Sequence, residues 1–135
     1  MRPIHAALLA LAAATLPVAA LAQSKTDTAR RDARFIHHVF FWLKNSDSAA
    51  DKARLVAALE KLSAVDTIRS YQIGEPAGTD RDVIDGSYSV SWTLTFDSAA
   101  DQQAYQVDPI HLQFVEEHSA LWQRVQVYDT VPVAE

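Results

Sequence analysis

The chain is 135 residues long, carries a formal net charge of −5 at pH 7, is 49% hydrophobic and contains no cysteine. That length suits one compact domain, and an acidic balance without a basic cluster argues against nucleic acid, where grouped Lys and Arg must neutralise phosphates. Without disulfides the fold has to be held by its core or by a partner subunit.

The opening MRPIHAALLALAAATLPVAALAQ has a short basic start, an apolar run from Ala6 broken by Pro17, and small residues at Ala20 and Ala22, the pattern of a cleavable secretory leader over residues 1–22. Cleavage before Gln23 would leave 113 residues, raise the net negative charge by one through loss of Arg2, and place a chain without a stable membrane anchor in a periplasm or outside the cell. Residues 23–33 are polar, have nothing large to bury, and read as a flexible tether. The domain proper is expected over 34–132.

Within it, FIHHVFFWL at 35–43 is a strand buried on both faces. Strand alternation puts Phe35, His37, Val39, Phe41 and Leu43 on one face and Ile36, His38, Phe40 and Trp42 on the other. NSDSAADKARLVAALEKL then carries a helical stripe of Ala53, Val56, Leu59 and Leu62 with Leu55 beside it, opened by Ser48 and Asp51 as a capping pair. TIRSYQIG reads as a second strand, and EPAGTDRDVIDG as a turn-rich loop that could lie over a pocket mouth. SYSVSWTLTF is a third strand, with Tyr88, Val90, Trp92, Leu94 and Phe96 facing one way. DSAAD occurs at 47–51 and again at 97–101, each time opening a helical pattern, as capping and helix propensity select.

The second copy starts a short helix through Ala104 and Tyr105, and the chain restarts at Asp108 with Pro109 at the first helical position. A helix through DPIHLQFVEEHSALW gathers His111, Phe114, Val115, His118, Leu121 and Trp122 within an arc of roughly 120°. VQVYDTVPV closes the domain as a fourth strand. The order β, α, β, β, α, β favours an α+β fold, an antiparallel sheet with helices on one face. Its other face would carry Ile36, Phe40 and Trp42, an apolar patch that predicts a homodimer packed sheet on sheet.

Histidines on an apolar arc have two possible uses. A neutral imidazole can take a proton from an acidic carbon or hydroxyl while a neighbouring tyrosine donates to the oxygen that gains charge, roles open to His111 and Tyr105. His111 could equally cap or pack the helix start. His118 lies about 10 Å further along the axis, too far to share a metal with His111, and no other His, Asp and Glu grouping has metal-site spacing. Neither a metal nor another cofactor is called for. His37, Phe41, Phe114, His118 and Trp122 could line an apolar cavity for a ring-bearing or fatty ligand, and core packing would also account for them. With no cysteine and only three glycines, there is no nucleophile elbow, phosphate loop or dinucleotide fingerprint.

Three stretches, HHVFFWLK at 37–44, SYSVSWTLTF at 87–96 and AYQVDPIHLQFVEEHSALW at 104–122, resemble the stress-responsive dimeric α/β barrel family. The likeness spans about 34–131, and its most specific element is the order of tyrosine, proline and histidine in YQVDPIHLQF. It implies a ferredoxin-like βαββαβ fold with a four-stranded antiparallel sheet, paired into a dimeric α/β barrel. Family members range from plant stress proteins to a polyketide-cyclising type in which a Tyr and a His of this motif act in an apolar pocket. By position they fall on Tyr105 and His111. A pocket histidine of the opening strand falls on His37, or on His38 if the alignment slides by one residue. Val90 stands where the cyclising type has another histidine, so the polar lining is thinner here.

Two functions follow as expectations. One is an exported, stress-associated homodimer that binds a small apolar or aromatic molecule without turnover. The other is a cofactor-free proton-transfer enzyme using His111 and Tyr105. An open apolar cavity bordered by both side chains favours the enzyme, and a filled core around His111 favours the binder or a purely structural domain. Haem or oxygen chemistry ranks below both.

Overall fold

A computed structural model describes residues 35–133. The leader and the tether read in the sequence lie outside the described residues. The elements are β1 (Phe35–Leu43), α1 (Ala49–Leu62), β2 (Ser70–Gly74), β3 (Val90–Phe96), α2 (Ala99–Val107), α3 (Pro109–His118), a 3₁₀ turn (Ser119–Leu121) and β4 (Trp122–Thr130). The sheet is antiparallel in the order β2-β3-β1-β4. This is the ferredoxin-like arrangement, and it puts the two most apolar strands at the centre.

Alternation in β1 and β3 sets the layers. His37, Val39, Phe41 and Leu43, with Val90, Trp92, Leu94 and Phe96, are all buried on the face that meets the helices. α1 closes over them with Leu55, Ala58, Leu59 and Leu62. Its stripe is rotated from the expected one, since Ala53 is exposed. Leu55 and Ala58 complete an i, i+3, i+4, i+7 set with Leu59 and Leu62, and a leucine buries more apolar area than an alanine.

Both DSAAD copies use one capping device. Ser48 accepts from the Asp51 N–H and Ser98 from the Asp101 N–H, each at 3.1 Å, satisfying a donor that a helix start leaves free. α2 and α3 are separated by Asp108 alone, which is extended (φ −64°, ψ 136°) and caps the Ile110 N–H at 2.8 Å. Pro109 follows at the first helical position, where a missing N–H costs nothing.

Three expectations are corrected. The last helix stops at His118, and Trp122 opens β4 instead of closing the helix. Its ring still packs on Phe41 and Phe114, with centroids at 5.1 and 5.7 Å. β3 begins at Val90, so Tyr88 is not held to its alternation and crosses to the other face, against Phe40 (4.9 Å) and Trp42 (6.5 Å). The 75–89 loop goes with it, since Ser87 accepts from the Trp42 indole N–H at 2.9 Å. Residues Phe40, Trp42, Tyr88 and Tyr128 thus form an aromatic patch on the face away from the helices, with Tyr128 58% exposed and Arg124 lying 4.2 Å over the Trp42 ring.

Candidate functional site

Between the sheet and α3 lies a cavity of about 260 Å³. Its walls are mostly apolar, with Val39 and Phe41 from β1, Trp92 from β3, Phe114 and Val115 from α3, and Trp122, Val125 and Val127 from β4. α3 does not reach across the edge strand. Val115, Val125 and Val127 therefore remain partly exposed and frame an opening to solvent. The loop expected at the mouth contributes nothing to it.

One end of the cavity is polar, and the break at Asp108 builds it. Tyr105 sits in the last turn of α2 and His111 in the first turn of α3, so the bend turns the two rings toward each other, with centroids 4.5 Å apart. The Gln106 carbonyl, left free near the end of α2, lies 3.1 Å from His111 Nδ1. A carbonyl can only accept, so Nδ1 carries the proton and the lone pair of the neutral ring is on Nε2. Burial pushes the His111 pKa below the ordinary 6.5, and His37 pushes the same way, against the Gln106 hydrogen bond and Asp108, which raise it. Burial pushes the Tyr105 phenol up to about 12, against the Trp92 indole, whose N–H pulls the other way without making a full hydrogen bond. At neutral pH the end of the cavity therefore offers a neutral imidazole base beside a protonated phenol.

His37 completes the polar end from the sheet. It is 4% exposed, its ring centroid lies 5.9 Å from that of Tyr105, and its Nδ1 is 2.5 Å from Asp129 Oδ1. The carboxylate accepts and Nδ1–H donates, a charge-assisted bond that fixes the ring. His37 and Asp129 are register partners across β1 and β4. Among the described residues the sealed polar side-chain atoms without a partner are Thr67 Oγ1, Trp92 Nε1 and His118 Nδ1, so the free edges of His37, Tyr105 and His111 open into the cavity they line.

Of the residues singled out in the sequence, Tyr105, His111, His37, Phe41, Phe114 and Trp122 line this one space, whereas His118 lies outside it, in a groove between α1 and α3. His38 is on the opposite face of β1, which resolves the choice between the adjacent histidines. Asp129, Gln106, Trp92, Val125 and Val127 were missed. Asp129 had a signal, because Val125, Val127 and Asp129 share a face and a carboxylate there interrupts an apolar alternation. Among the described residues no group of three or more His, Asp or Glu could hold a metal ion.

The stress responsive A/B barrel domain family matches residues 35–132. No curated protein matches. Among solved structures, a Dabb family protein with a ferredoxin-like fold from Mesorhizobium loti is 23% identical with a TM-score of 0.64, over 76% of this chain and 100% of that one. A hydroxynitrile lyase from Passiflora edulis is 22% identical, TM-score 0.61, over 73% and 93%. A dimeric ferredoxin-like protein of unknown function from Thermobifida fusca is 19% identical, TM-score 0.58, over 74% and 92%.

Proposed function

Because the chain belongs to the stress responsive A/B barrel domain family, we propose that it works as an exported homodimer in which each protomer takes a small apolar, ring-bearing molecule into the cavity and transfers a proton on it without a cofactor. His111 Nε2 removes a proton from a carbon or hydroxyl made acidic by a neighbouring carbonyl, and the Tyr105 hydroxyl donates a hydrogen bond to the oxygen on which the negative charge collects. A positioned acid or base of this kind contributes about 10²–10⁴-fold in rate. The observation that carries the reading is the pair of rings 4.5 Å apart at the wall of an open apolar cavity. A filled core there would have favoured the binder or a structural role instead. The hydroxynitrile lyase from Passiflora edulis, which resembles this chain in fold, supports catalysis on such a scaffold.

The homodimer is supported by the aromatic patch of Phe40, Trp42, Tyr88 and Tyr128, which an isolated sheet leaves without a cover, and by the dimeric protein from Thermobifida fusca. Export rests on the sequence of residues 1–22, and a stress association on the family description alone.

Binding without turnover is the second reading. The β3 wall favours it, because that strand gives the cavity only Trp92 and no titratable side chain, while Val90, where the cyclising type has a histidine, lies outside the cavity lining. One experiment separates the two. Small aryl and alkyl ketones with exchangeable α-hydrogens are incubated in D₂O with wild type and with His111→Ala, and both binding and deuterium uptake are followed. The enzyme reading expects uptake that falls at least 100-fold in the variant; binding with no His111-dependent uptake overturns it.

A further inference from the structure

The cavity shares a wall with a second hollow. A groove of about 120 Å³ runs between α1 and α3, lined by Ala58, Lys61, Ile110 and His118, and both Leu62 and Phe114 face it as well as the main cavity. Phe114 is 7% exposed. On the cavity side its ring meets Phe41 at 6.4 Å and stacks on Trp122 at 5.7 Å, and on the groove side it meets His118 at 5.7 Å. The His118 ring is not tied in place by a hydrogen bond, since its Nδ1 has no partner and its Nε2 is 3.8 Å from Glu117. The Phe114 ring, backed by an untethered imidazole and flanked by Leu62, thus separates two hollows.

We infer that Phe114 is the partition that sets how long a ligand the cavity accepts. From a polar head at Tyr105 and His111 an apolar tail has two ways to run, one out past Val115, Val125 and Val127 into solvent and the other, which keeps it buried, along Phe41 and Trp122 to end at Phe114. Removing the ring joins the cavity to the groove, so a longer unbranched tail passes between α1 and α3. The inference rests on the proposed binding of a small apolar molecule.

The probe is a series of 4-alkylphenols from ethyl to octyl, titrated against the full domain by calorimetry. In wild type, affinity should climb about fourfold per added methylene until the tail meets Phe114, and then fall. Phe114→Leu should move that limit out by two or more carbons, and Phe114→Trp, which thickens the partition, should bring it in. Adding Ile110→Trp, which fills the groove from its partly exposed side, should return the Phe114→Leu limit to that of wild type. A limit that moves with neither Phe114 variant overturns the partition, as does a Phe114→Leu extension that survives Ile110→Trp. If wild type binds no member of the series, the binding reading falls and the partition with it, whereas a bound series with an unmoved limit sinks the partition alone.

Discussion

His37 and His38 are neighbours in one strand with opposite surroundings. His37 is buried against Asp129 at the polar end of the cavity. His38, register partner of Thr93 and Tyr128, faces away from the helices on the side of the aromatic patch. The residue type is the same, and the face of the strand decides the role. In the proposed function one face of this sheet serves chemistry and the other assembly, and each can be disturbed while the other is left alone.

The largest expected effect is on the helix-side face. His111→Ala should lower deuterium uptake by about 10²–10⁴-fold, while His38→Ala leaves it within about twofold. Comparable losses in both would erase the division between the faces. Next comes packing, where Trp92→Ala, at a fully buried position, should cost about 3–5 kcal/mol in urea unfolding. On the opposite face Phe40→Asp should spare the fold of the protomer and turn dimer into monomer by sedimentation; a stable dimer in that variant would sink the sheet-to-sheet assembly. Asp129→Asn weakens a charge-assisted bond to a buried ring, and a loss of about 1–3 kcal/mol is expected, at the low end because Asp129 is 44% exposed.

The smallest effect is pH-dependent. Folding holds the His111 pKa below 6.5, so below that pH the unfolded chain takes up a proton that the folded chain resists. Stability should therefore decline on acidification through that value and return as pH rises. The difference in urea midpoint between wild type and His111→Asn, measured from pH 7.5 to 5, should shrink with acidification. A difference that is flat across this range would remove the burial argument for a neutral base.

Much of this was legible in the sequence for local reasons. Period-two alternation marks β1 and β3, and the serine caps and Pro109 mark helix starts, because each is a property of consecutive residues. What was missed depends on distant parts of the chain. Asp129 matters only because β4 lies beside β1, which no local pattern specifies. The end of α3 was misplaced because Leu121 and Trp122 continue the helical arc, although Leu121 ends the 3₁₀ turn and Trp122 opens the strand that pairs with Leu43. Tyr88 obeyed the alternation of a strand it does not belong to, and Trp42 and Phe40 across the sheet outweighed it. His118 fell on the apolar arc but outside the cavity, because α1 covers that side of α3.

The single extended residue between α2 and α3 has an evolutionary corollary. Tyr105 and His111 face each other across a joint of fixed length, so adding or deleting one residue there would turn His111 by about 100° around its helix and point it away from the phenol. Side chains along the walls can drift to suit new guests, while an insertion or deletion at this joint would silence the pair at a stroke. Divergence of this kind of protein should therefore run through substitution of its lining and spare the number of residues in the elbow.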